Sequence, residues 1–140
     1  GPAKDKKFIN KIMAQIKAGR KELLIVDDKD GTPTYTQDFA RNVQLLLEKE
    51  YWGLYNMVCG GQTSRLEVAR ELVSILGLEE EVNIVPVDSE YFKETYFADR
   101  PASERLINKK LNLRGLNVMR DWRIALKEYI GEYYSGFLSD

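Results

Sequence analysis

Gly31-Thr32-Pro33-Thr34-Tyr35-Thr36-Gln37-Asp38-Phe39-Ala40 joins an apolar run, Leu23-Leu24-Ile25-Val26, to an amphipathic pattern that begins at Thr36. The run reads as a strand and the pattern as a helix over 36–49, with Thr36 as its N-cap and Asp38 in its first turn. Phe39, Ala40, Val43, Leu46 and Leu47 are the predicted buried stripe. Between strand and helix lies a proline-fixed loop carrying the Thr32 and Thr34 hydroxyls and the Tyr35 phenol. Such groups at a helix N-terminus suit an anion, because the first amides lack intrahelical partners. Helix capping and a Pro turn account for the same residues without a ligand, and the local sequence leaves both readings open.

Outward from this loop, strands and helices intermix. Upstream, Phe8, Ile9, Ile12, Met13 and Ile16 recur at helical spacing within 5–18, and Gly19 closes that helix. Asp27-Asp28-Lys29-Asp30-Gly31 reads as a turn after a strand at 21–27. A calcium loop with Gly31 as its sixth residue would need acids at Val26 and Gln37, so the acidic cluster reads as a solvated turn. Downstream, 54–58 reads as a second strand, broken by Gly60-Gly61. Ser64 and Glu67 have capping-box spacing at the start of a helix over 64–76, with Leu66, Ala69, Leu72, Val73 and Leu76 inward and Gly77 at its end. A third strand is expected at 82–87, at an edge because of Pro86. One or two helical turns follow at 89–95, an extended stretch at 97–101, a short strand at 104–107 and a short helix at 108–113. The last helix starts near Arg120 and carries Trp122, Ala125, Leu126, Tyr129, Ile130 and Tyr133 on one side. The fold class is mixed α/β, without the regular alternation of a doubly wound nucleotide-binding sheet.

Composition removes several function classes. The chain has 140 residues and a formal net charge of −1, which gives no basic footprint for nucleic acid. No apolar run reaches the ~20 residues of a membrane helix, and no signal peptide is recognisable, so a cytoplasmic location is expected. One cysteine, Cys59, forbids an intrachain disulfide. With no histidine, Ser-His-Asp and Cys-His nucleophile systems are excluded within these residues and a zinc site is disfavoured. Gly1-Pro2 reads as a protease scar or as native sequence, and the lack of an initiator Met suggests an excised piece.

Of the stretches that can carry chemistry, Arg100-Pro101 is the sharpest. Proline keeps Arg100 out of helical conformation, and a guanidinium can grip a diphosphate in bidentate fashion. Tyr91, Phe92, Tyr96 and Phe97 precede it, either as core or lid packing or as a stacking wall for a base. Gly60-Gly61-Gln62-Thr63-Ser64 has generic anion potential, but the capping box already uses its amides. Lysines 4, 6, 7, 11 and 17 read as the wet face of the first helix, Trp122 as a core anchor and Cys59 as a small strand-end residue.

Three motifs, in order, resemble the C-terminal part of dTDP-4-dehydrorhamnose reductases, within the extended short-chain dehydrogenase/reductases. They are Asp27-Asp28…Gly31-Thr-Pro-Thr-Tyr-Thr…Asp38-Phe-Ala, then Arg100-Pro101 with Asn108 and Leu111, then Asp121-Trp122-Arg-Ile-Ala-Leu-Lys-Glu-Tyr129. The similarity spans about Lys7 to Ile130. It implies that residues 1–140 are one C-terminal sugar-nucleotide-binding domain, with the N-terminal NAD(P)-binding Rossmann domain absent from this sequence. The parent would use NADPH or NADH to reduce the 4-keto group of a dTDP-linked 6-deoxysugar, toward dTDP-L-rhamnose, while this piece binds no cofactor and is inactive alone. Family chemistry uses a Tyr with a Lys four residues later, and none of the 8 tyrosines has that partner. Nor is there a Gly-rich dinucleotide turn. By the same resemblance Arg100 would bind the diphosphate, Thr32 and Thr34 would approach the phosphates, and Tyr96 and Phe97 would border sugar or base. Lys7 stands where family members often carry Asn, and as a substrate-binding residue its ammonium would reach a phosphate. The expected partners are a dTDP-linked deoxysugar and the missing Rossmann domain, with an exposed apolar docking face and self-association as consequences. A non-catalytic regulatory or scaffolding protein of the same fold, or another nucleotide-sugar epimerase or dehydratase, are the alternatives.

Overall fold

A computed structural model describes residues 8–94 and 101–137. Lys7, Tyr96, Phe97 and Arg100 therefore lie outside the described residues. The order of elements is α1 (Phe8–Lys17), β1 (Glu22–Val26), α2 (Thr36–Glu48), α3 (Arg65–Ile75), β2 (Asn83–Val87), a 3-10 turn (Ser89–Phe92), α4 (Lys109–Leu113) and α5 (Trp122–Tyr133). The fold is mixed α/β, as the sequence pattern indicates.

β1 and β2 pair in parallel, with Leu23 opposite Ile84 and Ile25 opposite Pro86. In a two-stranded sheet each strand keeps an open edge, so Pro86 is tolerated although it has no N–H. The connection runs through α2 and α3, and α3 packs on both strands and on α5. Ile12 and Met13 of α1, Leu23 and Ile25 of β1, Ala69, Leu72 and Val73 of α3, and Trp122, Leu126 and Ile130 of α5 close one apolar core. Each such aliphatic side chain contributes about 1.5–3 kcal/mol on full burial. Gly19, Gly77 and Gly115 take positive φ just beyond α1, α3 and α4, where the chain must turn.

A second, smaller cluster of Leu46, Leu111 and Leu116 sits under α2 and α4. Here the structure departs from the expected stripe. Asp38 and Asn42 face inward with Leu46, while Phe39 and Leu47 are exposed. The polar side chains go inside because each finds partners there. Asn42 donates to the Leu116 carbonyl and accepts from the Val118 amide, both at 3.0 Å. Asp38 meets Arg120. Thr36 is not the N-cap either; Tyr35 occupies that position, in extended conformation, with no side-chain cap bond.

The strand expected at 54–58 forms no ladder among the described residues. Within it the N–H and C=O of Val58 are taken by the Asn108 side-chain amide at 2.9 and 2.8 Å, and Tyr55 is held through its hydroxyl by Arg114. The rest lacks a neighbouring strand, and Leu54 is 89% exposed. At 104–107 the chain makes no strand. It is pinned through an isolated bridge between Asp30 and Ser103 and a Glu104 N–H bond to the Asp30 carbonyl at 2.9 Å. The capping box holds: Glu67 N–H donates to Ser64 Oγ at 3.2 Å and Ser64 N–H to Glu67 Oε2 at 3.0 Å. No helix of the described residues is long and apolar enough to cross a membrane.

Candidate functional site

The loop 29–36 forms one wall of a cavity of about 650 Å³. That volume lies in the range of small-molecule sites. The loop is fixed from two sides. Gly31 N–H donates to the Thr63 carbonyl at 3.0 Å, and Asp30 N–H to the Ala102 carbonyl at 2.8 Å. The segments 63–64 and 102–104 thus clamp the loop like short strands. Glu104 of the second segment and Pro101 just before it line the cavity. The neighbour of Arg100 is therefore at the cavity, although Arg100 itself lies outside the described residues.

The opposite wall is apolar, built by Trp122, Ala125, Leu126 and Tyr129 along one face of α5, with Phe8 and Ile9 from α1. Asp121 caps α5, its side chain accepting from Arg123 N–H at 2.9 Å. A bridge between Gly60 and Asp121 locks the start of that helix: Gly60 N–H donates to the Arg120 carbonyl at 2.8 Å and Trp122 N–H to the Gly60 carbonyl at 3.0 Å. Arg65, the first residue of α3, and Lys29 bring positive charge to the rim.

Thr32 and Thr34 both line the cavity, and both also serve the fold. Thr32 Oγ1 donates to the Gly61 carbonyl at 2.8 Å. Thr34 Oγ1 accepts from Cys59 N–H at 3.4 Å. Each hydroxyl keeps lone pairs or a proton for a second contact. Tyr35 turns away from capping and donates its phenol proton to Glu132 Oε2 at 2.6 Å. Burial first, and then that carboxylate, push the Tyr35 phenol well above its ordinary value, so it is a fixed donor and not a proton shuttle. Burial likewise raises the Cys59 thiol, with Asp38 adding to it, which keeps the sulfur protonated and unreactive.

Sequence reading brought Thr32 and Thr34 to this place and missed Arg65, Glu104 and the α5 face. The capping box located the start of α3, and so pointed at Arg65 as the first helical residue. Nothing local marked Glu104. Trp122 is the anchor expected, 1% exposed, and a cavity wall as well. The described aromatics Tyr91 and Phe92 stack edge to face on each other and are absent from the cavity lining.

Known proteins share this fold. The chain is 33% identical over 120 residues to the spore coat polysaccharide biosynthesis protein SpsK of Bacillus subtilis, covering 86% of this chain and 40% of that protein. It is 30% identical over 116 residues to a dTDP-4-dehydrorhamnose reductase of Mycobacterium tuberculosis, covering 82% of this chain and 37% of that one. Among solved structures, a dTDP-4-dehydrorhamnose reductase of Clostridium acetobutylicum superposes with a TM-score of 0.82 at 32% identity, over 92% of this chain and 44% of its own. The reductase of Bacillus anthracis, in complex with NADP, gives 0.78 at 28% identity, over 92% and 44%. The chain thus spans less than half the length of the relatives it matches. The RmlD substrate binding domain family matches residues 3–135, nearly the whole chain. With this match over nearly the whole chain and solved relatives of the same fold, the chain belongs to the RmlD substrate binding domain family.

Proposed function

We propose that this chain is the substrate-holding part of a dTDP-4-dehydrorhamnose reductase, and that its cavity receives the dTDP-linked 6-deoxysugar. The observation that carries the reading is the convergence of the Thr32–Thr36 loop, Pro101 and α5 on one cavity. Two of the three motif segments of the family supply its walls directly, and the third reaches it through Pro101. In this reading residues 1–140 act as one C-terminal domain, and an N-terminal Rossmann domain supplies NADPH or NADH and the Tyr/Lys proton donor. Arg100 would neutralise the diphosphate, the Thr32 and Thr34 hydroxyls would meet phosphate oxygens, Lys7 would reach a phosphate, and Tyr96 and Phe97 would border the sugar or base. The apolar wall suits a deoxysugar methyl or a pyrimidine face. The work is positioning: the keto carbon must lie over the nicotinamide for hydride transfer.

The exposed side chains support a docking face for the first domain. Trp52 is 71% exposed, and Leu54, Ile107 and Leu113 are exposed as well. Residues 54–58 form no ladder among the described residues. A strand of the first domain would complete that edge.

The test is reduction of a dTDP-4-keto-6-deoxysugar by a polypeptide that joins this chain to a nucleotide-binding half, followed as loss of NADPH. Consumption that depends on the keto sugar, and falls in an Arg100→Ala variant, supports the reading. An intact two-part protein that binds NADPH but never consumes it with this substrate contradicts the reading, and favours a regulatory role.

A further inference from the structure

Trp122 is buried, lines the cavity, and has an indole Nε1–H with no hydrogen-bond partner. It is the sole side-chain nitrogen or oxygen in that condition among the described residues. A buried donor left unpaired is costly, and native proteins seldom keep one without a use. None of its protein neighbours accepts from it. The pyrrole edge of the ring lies against Gly61: a β-carbon there would sit 2.8 Å from Cδ1 and 3.2 Å from Nε1. Gly61 thus offers the N–H no side-chain acceptor. Its carbonyl accepts from Thr32 Oγ1 and makes no bond to the indole. Arg123 covers one face of the ring, its guanidinium carbon 4.4 Å from the ring centroid. The indole is held in place by its helix, by Gly61 and by this cation, with its polar atom unspent.

We infer that the Trp122 indole N–H is a ligand-binding donor, reserved for an acceptor oxygen of the molecule that occupies the cavity. The inference rests on the nucleotide-sugar reading of the cavity and adds a specific contact to it. Thr32, which bonds the Gly61 carbonyl, and Trp122, whose pyrrole edge lies against Gly61, both line the cavity, so one ligand can address both residues. A base carbonyl, a diphosphate oxygen or a sugar oxygen all have this acceptor chemistry.

The chain contains 2 tryptophans, which makes the test direct. In a nitrogen-15 correlation spectrum Trp122 and the exposed Trp52 give separate indole signals, and Trp52 serves as the reference. Thymidine, dTDP and dTDP-rhamnose are titrated into the labelled chain to millimolar concentration. The expected result is a downfield shift and slowed solvent exchange of the Trp122 indole proton, together with shifts of the Thr32 and Thr34 amides. The first of the three ligands to move the indole identifies base, diphosphate or sugar as the acceptor. Loop amides that move while the Trp122 indole stays fixed overturn this inference and leave the cavity reading standing. Silence of both at millimolar ligand overturns the cavity reading and the inference together. A Trp122→Phe variant adds an independent measure: roughly fivefold to tenfold weaker binding is expected from loss of one hydrogen bond. Unchanged affinity in a folded variant contradicts the role.

Discussion

Arg120 grips the buried carboxylate of Asp38, with Nη2 at 2.7 Å and Nε at 3.0 Å from Oδ1. Asp38 is 1% exposed and sits in the first turn of α2; Arg120 lies two residues before α5. The pair therefore ties the loop-bearing helix to the helix that forms the cavity's far wall. Arg41 adds a bond to the same carboxylate at 3.1 Å, and Arg120 also holds Glu128. Asp38→Ala should leave Arg120 without its buried partner. Fully buried pairs lose about 3–5 kcal/mol when one partner goes. Arg120 keeps some solvent contact, so a loss of roughly 2–3 kcal/mol is expected from urea unfolding. A loss within experimental error would show that the pair does not hold the two walls together.

Gly61→Ala should be damaging out of proportion to its size. Gly61 has φ of +89°, and an added β-carbon would meet Asp121 Oδ2 and Trp122 Cδ1 at 2.8 Å each. The substitution combines a strained left-handed residue with displacement of the α5 cap and the indole. The expected result is a loss of about 2 kcal/mol or more, read by thermal melting. An unchanged melting temperature would mean that the Gly61–Trp122 contact is loose.

Acid should weaken the fold partly through Glu128. The hydrogen bond from Arg120 holds the Glu128 carboxyl below the usual glutamate value. A depressed folded value means that the contribution is complete above the unfolded value of about 4.3 and is lost as pH falls through the folded one. Glu128→Gln should therefore flatten the decline of melting temperature below about pH 4.5. At the alkaline end the sign reverses. The Tyr35 phenol is raised, so its contribution is present below about pH 10 and is lost as pH rises further. Tyr35→Phe should remove that alkaline component in the same melting series.

Leu54→Lys tests the docking face. Leu54 is almost fully exposed and no described neighbour covers it. In the chain alone the substitution should change stability by less than about 0.5 kcal/mol. It should lower any concentration-dependent association seen by light scattering, and it should weaken complementation by a separately supplied nucleotide-binding half. Unaltered complementation would place the domain contact elsewhere.

How much of this was legible beforehand follows from where the information sits. Periodicity located α1, α3 and α5, because their apolar faces pack on a core made by this chain. Ser64 and Glu67 fixed the start of α3 to the residue, since a capping box is a local arrangement. The face of α2 was misread because Asp38 and Asn42 are buried by partners eighty and seventy-odd positions away, which no local pattern announces. The strand at 54–58 was misread for a related reason. Tyr55 and Val58 favour a strand, but pairing needs a neighbour that the described residues do not contain. Thr32 and Thr34 were found through a motif, whereas Arg65, Glu104 and the indole of Trp122 enter the cavity only through tertiary contact.

The most direct measurement of the central claim is calorimetric titration of this chain with dTDP-rhamnose, beside Arg100→Ala and Thr32→Val variants. Weak saturable binding by the native chain, abolished by Arg100→Ala and reduced by Thr32→Val, is the predicted result. Binding of equal strength in all three proteins, or no heat with the nucleotide sugar at any concentration reached, would contradict the assignment of the cavity as the nucleotide-sugar site.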